Sequence, residues 1–247
     1  MSETSTTSTI TKVAQRGWRR RTGAVGIAYV VMQLVGVGLM LMAGNPPSFD
    51  DPKKYADFIS SGSSLFLGDA VLTGVATVLL MVFVIGIRGV IRSAGEGWEW
   101  AAALSYGAAL VVAAIAFTGA ALEATTAMVS TAGTDPTTVR TAWAVTNMLF
   151  TFIYFPSALF LGTVSYAALQ TKVLQGWVAW LGVVCALLNL AAVLTVFGGT
   201  GSYGPVGLLP LILGFAPAGL WILGVSVALL TAAPATARRG AEMASGL

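Results

Sequence analysis

Asp69, Glu123 and Asn147 are the residues whose types and positions could do chemistry in this chain. Each falls close to one end of a long apolar run, and counting along the runs puts all three in one depth layer. If they converge, two carboxyls and an amide form an acidic, hydrogen-bonding mouth suited to a cation, an amine or a proton. The plainer reading is a pair of carboxylates wetted by headgroup water and an asparagine bonded to another helix. The shallow positions of Asp69, and of Glu123 just past its run, favour the plainer reading. Gln33 and Asn189 lie deeper, near the middle of their runs, where each amide must find partners. An interhelical hydrogen bond that fixes packing is the ordinary expectation. A polar pocket lining shared with Tyr29, Tyr106 and Tyr154 is the sharper one.

What must position these side chains is a set of six apolar runs: residues 23–43, 65–87, 101–122, 141–169, 177–197 and 206–232. A membrane span needs about 20 apolar residues, and each run is long enough. The chain has 13 basic and 10 acidic residues, and of these only Asp69 falls inside a run. At 56% hydrophobic content in 247 residues, runs of this kind do not belong in a soluble core, where buried helices are shorter and carry a polar stripe. The expected fold is all-α: a polytopic bundle of six transmembrane helices filling residues 23–232. Residues 1–22 are expected to be a basic, disordered cytoplasmic N-terminus, and 233–247 a cytoplasmic tail.

Positive charge assigns the sides. Ten basic residues fall on one side: Lys12, Arg16, Arg19, Arg20, Arg21, Arg88, Arg92, Lys172, Arg238 and Arg239. Three fall on the other: Lys53, Lys54 and Arg140. Both termini are therefore expected in the cytoplasm, with the bundle in the plasma membrane. Tryptophan follows the same boundaries: Trp18, Trp98, Trp100, Trp177 and Trp180 at inner ends, Trp143 at an outer one. In the first outer connection Asn45-Pro46-Pro47 breaks the helix, and Asp51-Pro52 is a cap followed by proline at the first helical position. Tyr55, Phe58 and Ile59 then share a face. This predicts a short amphipathic helix ending near Gly62, either covering the rim of the bundle or forming a lid. Pro156 predicts a kink in the long fourth run, and Pro210 and Pro217 predict irregularity in the sixth.

Other chemistry is hard to build from these residues. The chain has no histidine, which removes imidazole bases and axial haem ligands. Cys185 is the one cysteine, placed deep in the fifth run as a packing residue. Residues 198–205 are glycine-rich but lack the lysine of a phosphate loop, and read as a turn. No catalytic constellation, metal-ligand spacing or cofactor motif is present, and the basic residues follow the membrane boundaries rather than a nucleic-acid surface. The chain is thus expected not to be an enzyme and to take no cofactor.

Two stretches carry a family likeness. One is residues 55–92, with a short helix running into Gly68-Asp69 and a span ending Ile87-Arg88-Gly89-Val90-Ile91-Arg92. The other is residues 170–182, Gln-Thr-Lys-Val-Leu-Gln-Gly-Trp-Val-Ala-Trp-Leu-Gly. Together they resemble a family of bacterial, mainly actinobacterial, six-helix integral membrane proteins defined as a domain of unknown function. The resemblance implies the six-helix fold and brings no activity, cofactor or site residue with it. Two functional expectations remain. The first is a non-catalytic subunit, scaffold or lipid- or small-molecule-binding membrane module, with membrane lipids as partners and a protein partner or second copy left open. The alternative is a small permease for a lipophilic or cationic solute, using the acidic layer.

Overall fold

A computed structural model describes residues 3–199, 203–204, 207 and 209–231. Among them the chain is helical, and six stretches are long and apolar enough to cross a membrane. These stretches are Gly17–Ala43, Ser63–Arg92, Glu96–Thr131, Pro136–Thr171, Gly176–Gly198 and Leu211–Thr231. Their helices are α1 (Glu3–Ala43), α3 (Ser63–Arg92), α4 (Glu99–Thr131), α5 (Pro136–Phe152) with α6 (Tyr154–Thr171), α7 (Gly176–Val193) and α8 (Ala216–Thr231). A ten-residue helix, α2 (Pro52–Ser61), joins the first two spans. Leu34, Leu41, Val71, Leu187 and Ile212 are exposed on outer faces of the bundle. Helices apolar on both the packed and the open side are at home in hydrocarbon.

The spans pack in chain order around a closed ring. α1 lies against α3, α3 against α4, α4 against α5 and α6, α6 against α7, and α7 against α8, which returns to α1. Small residues set the close approaches: a Cβ at Gly26 would fall on Ser226 and Phe83, and one at Gly86 on Thr22. The main apolar core runs through α3, α4, α6, α7 and α8, with Phe83, Leu161, Val178 and Trp221 fully buried. Close backbone contact of this sort is the usual source of helix association where lipid removes the hydrophobic drive.

Helix ends depart from the apolar runs for local reasons. α1 extends back to Glu3, into the stretch expected to be disordered, because no proline or glycine interrupts residues 3–16 and a formed helix propagates easily. α4 continues to Thr131, well beyond the expected end at residue 122. Its last turns are polar but still helical: the hydroxyls of Thr125 and Thr126 donate to the carbonyls of Ala121 and Leu122. Gly133, at φ 75°, ends it, and Asp135 caps α5 by accepting the Thr138 N–H at 3.0 Å. The fourth span breaks between α5 and α6 at Ile153. Pro156 lacks the N–H that would bond the Phe152 carbonyl four residues back, so the break falls where that bond is missing. A π-turn, Leu211–Phe215, opens the sixth span just before Pro217. The expected tail at 233–247, the N-terminal two residues and parts of the 198–205 turn and of the sixth run's start lie outside the described residues.

Candidate functional site

The carboxyls of Asp69 and Glu123 meet inside the bundle. Helix α3 carries Asp69 two turns from its start, and α4 carries Glu123 about two turns before its end, so the antiparallel pair brings them level. Their side chains lie close enough to each other to interact. A bond between two carboxyls needs a proton on one of them. Asp69 is 9% exposed and Glu123 only 1%. Glu123 Oε1 is buried and, among the described residues, receives no N–H or O–H donor. The third wall is backbone: Gly36 of α1 lies so close that a Cβ there would fall on Asp69 Oδ1.

This corrects the sequence expectation of shallow, wetted carboxylates. Glu123 does not sit beyond a helix end, because α4 continues for eight more residues. Asn147 joins the same layer: the Phe150 ring rests on Gly119, and that antiparallel register sets residues 146 and 147 of α5 level with Glu123. Asn147 Nδ2 donates to the Trp143 carbonyl at 2.9 Å, which leaves its second N–H and its amide oxygen with spare capacity. Gln33 lies one turn deeper than Gly36 on α1 and donates to the Tyr29 hydroxyl at 3.1 Å. Asn189 is elsewhere. It is fully buried on α7 and bonds the Cys185 carbonyl at 2.9 Å and the Gly214 carbonyl in the π-turn at 3.2 Å. Its role is packing across α7 and α8, the ordinary reading of a mid-span amide. Tyr29, Tyr106 and Tyr154 do not share a pocket: Tyr106 lies under the Arg88 guanidinium at 4.9 Å and Tyr154 bonds Pro210.

One turn toward the α2 end, every helix of the polar layer supplies an apolar residue to a plug. Phe66 sits one turn from Asp69, Ala127 from Glu123, Trp143 from Asn147 and Met40 from Gly36, and these four belong to one cluster with Tyr55 and Ile59 of α2. Phe66 and Trp143 meet edge to face, 4.9 Å between centroids. Trp143, which its sequence position marks as an interfacial anchor, is buried at 8% in this plug. Asp51 accepts the Lys54 N–H at 3.1 Å and caps α2. That backbone bond, with the Lys54 ammonium beside it, holds the exposed Asp51 carboxyl below the usual carboxylate range. Burial pushes the Tyr55 hydroxyl up to about 12, against a smaller opposing effect of the neighbouring Trp143 side chain. The segment before α2 is tied to α5: Arg140 Nη1 donates to the Phe49 carbonyl at 3.2 Å and its guanidinium lies 5.3 Å from the Phe49 ring.

Gly36, the plug and the pairing itself escape sequence reasoning. A glycine in a membrane helix is ordinary, and helix rotation, which decides who faces whom, leaves no mark in hydropathy. Two shallow hollows lie elsewhere, along the exposed side of α5, lined by Thr137, Thr138, Thr141 and Val145 and then by Met148, Leu149 and Phe152. Among the described residues no group of three or more His, Cys, Asp or Glu side chains is placed to hold a metal ion. Comparison of the chain with family models, with curated proteins and with solved structures finds no match.

Proposed function

We propose that this chain is a multi-pass protein of the plasma membrane, both termini cytoplasmic, that works as a non-catalytic binding module. Its ligand is a proton, held reversibly by the Asp69–Glu123 pair in the outer half of the bundle. A single observation carries the reading: two buried carboxyls lie within reach of each other, and Glu123 Oε1 has no donor among the described residues. In a medium of low dielectric two adjacent carboxylates repel strongly, and no Lys or Arg lies in the described layer to neutralise them. The pair is stable there with a proton between its oxygens. A small hard cation, which oxygen ligands also suit, is the alternative occupant.

Transport is the second functional reading, and the breaks at Ile153 and in the π-turn are what favour it. Against it, a buried apolar layer of Val30, Leu80, Phe83, Val84, Ala108 and Ala109 lies between the carboxyl pair and the opposite end of the bundle. Membrane lipids are the partners of this reading. Catalysis, cofactors and nucleic acid have no part in it. The resemblance of residues 55–92 and 170–182 to the six-helix family of unknown function is compatible with it.

The test is infrared difference spectroscopy of the full chain in lipid nanodiscs across a pH titration. A protonated-carboxyl band that appears on acidification and is lost in Glu123→Gln supports the reading. A spectrum without such a band, or one unchanged in Glu123→Gln and Asp69→Asn, rejects it. Sodium dependence of the band at fixed pH would shift the ligand from proton to cation. Tags on the two termini reporting opposite compartments would reject the topology.

A further inference from the structure

We infer that α2 is a proton-controlled lid: loss of the shared proton from the Asp69–Glu123 pair releases α2 from the outer end of the bundle. The inference rests on the proton-binding reading above and adds the regulated element and the direction of its movement.

The argument starts from where water can reach the pair. Ionising both carboxyls creates two neighbouring charges that need hydration, since Glu123 Oε1 has no donor to compensate it. Toward the far end the way is closed by the core of the bundle, where Phe83 and Val84 are essentially unexposed. Opening that side means separating whole spans. Toward the near end only one layer intervenes, the Phe66–Trp143–Ala127–Met40 plug, and it is roofed by α2. Displacing α2 is therefore the route that disturbs least.

α2 is built to come away. Ten residues do not make a stable helix in water by themselves, so it holds its shape through its buried side, Tyr55, Ala56 and Ile59. The opposite side carries exposed Lys53, Lys54 and Asp57 and has no apolar partner to lose. Both tethers are jointed. Gly44, at φ 93°, begins the segment that contains Pro46 and Pro47, and Gly62 separates α2 from α3. Arg140 holds the first tether against α5 through the Phe49 carbonyl and ring.

The groups facing the pair from each neighbouring element leave it as the titrating centre. α1 offers Gly36 and, a turn deeper, Gln33 hydrogen-bonded to Tyr29. α5 offers Asn147 and, two turns outward, Arg140. α2 offers Tyr55, which titrates only in strong alkali. The ionisable residues of α6, Tyr154 and Tyr166, are engaged with Pro210 and with Trp98.

The test reads α2 directly. In a Cys185→Ser background, Ala56→Cys places a thiol on the buried side of α2 and Asp57→Cys places one on its exposed side. Each full-length protein in nanodiscs is labelled with a membrane-impermeant maleimide over a range of pH. Dividing one rate by the other removes the intrinsic pH dependence of thiol chemistry. The expected result is that this ratio rises several-fold as the carboxyl band disappears. It should stay low and flat in Asp69→Asn and in Glu123→Gln, each retained only if monodisperse. A flat ratio in the parent, with the band titrating normally, overturns the lid while leaving the proton site standing. The same rise in both carboxyl variants overturns it as well. Absence of the band removes the proton site and the lid together.

Discussion

The Tyr154 hydroxyl donates to the Pro210 carbonyl across 2.9 Å, joining the break in the fourth span to the irregular start of the sixth. The ring packs against Gly214, within the π-turn, so closely that a Cβ there would collide with it. Asn189 reaches the Gly214 carbonyl from α7. Three spans are thus fastened at a place where two of them have lost regular helical hydrogen bonds.

Removing that hydroxyl should be mild and removing the space severe. Tyr154→Phe leaves one buried carbonyl without its donor, a loss of about 1 kcal/mol. Gly214→Ala forces the ring aside and should lower stability by roughly 1–3 kcal/mol, as overpacking does. Thermal unfolding in mild detergent measures both. Equal stability of Gly214→Ala and the parent would contradict the close contact.

Gly36 should tune the carboxyl pair without contributing a polar atom. Gly36→Ala puts a methyl group where Asp69 Oδ1 now lies, so the carboxyl must turn and the pair's infrared band should move. Gly38, on the same helix, has open space around it, and Gly38→Ala should leave the band in place. Two identical spectra would show that α1 does not form the third wall.

Tyr55 sets an alkaline limit on α2. Its hydroxyl is raised by burial from about 10 to about 12, so the folded protein favours the neutral ring. Stability from this group is complete below pH 10, falls as pH rises from there, and is gone above about 12. At about 1.4 kcal/mol per pH unit the loss approaches 3 kcal/mol. The prediction, read in Glu123→Gln so that α2 stays seated through the carboxyl range, is that tyrosinate absorbance and Ala56→Cys labelling rise together above pH 10, and that Tyr55→Phe abolishes this alkaline component.

Arg140 should act as a catch on α2. Arg140→Ala removes the hydrogen bond to the Phe49 carbonyl and the contact with its ring, together worth about 1–2 kcal/mol. Labelling at Ala56→Cys should rise at every pH, with the carboxyl titration still visible on top. Arg140→Lys should restore it poorly, because a compact ammonium cannot hold the carbonyl and cover the ring as a planar guanidinium does. Unchanged labelling in Arg140→Ala would assign the hold on α2 to its apolar face alone.

Six apolar helices, the capped start at Asp51-Pro52 and a discontinuity near Pro156 are legible in the order of residues, because hydropathy, capping and the missing proline N–H act over a few neighbours. The helix ends were less so: α4 runs eight residues past Glu123, since threonine and serine can remain helical by bonding their own backbone where hydropathy has already fallen. The depth of Asp69, Glu123 and Asn147 could be counted along the chain, but their meeting could not. Which residues face one another depends on rotation about each helix axis, and that is decided by contacts between distant segments. Gly36 against Asp69, Phe150 against Gly119 and the plug beneath α2 settle it. Short-range forces choose the helices, and the packing of side chains far apart in sequence turns two solitary carboxyls into a buried pair.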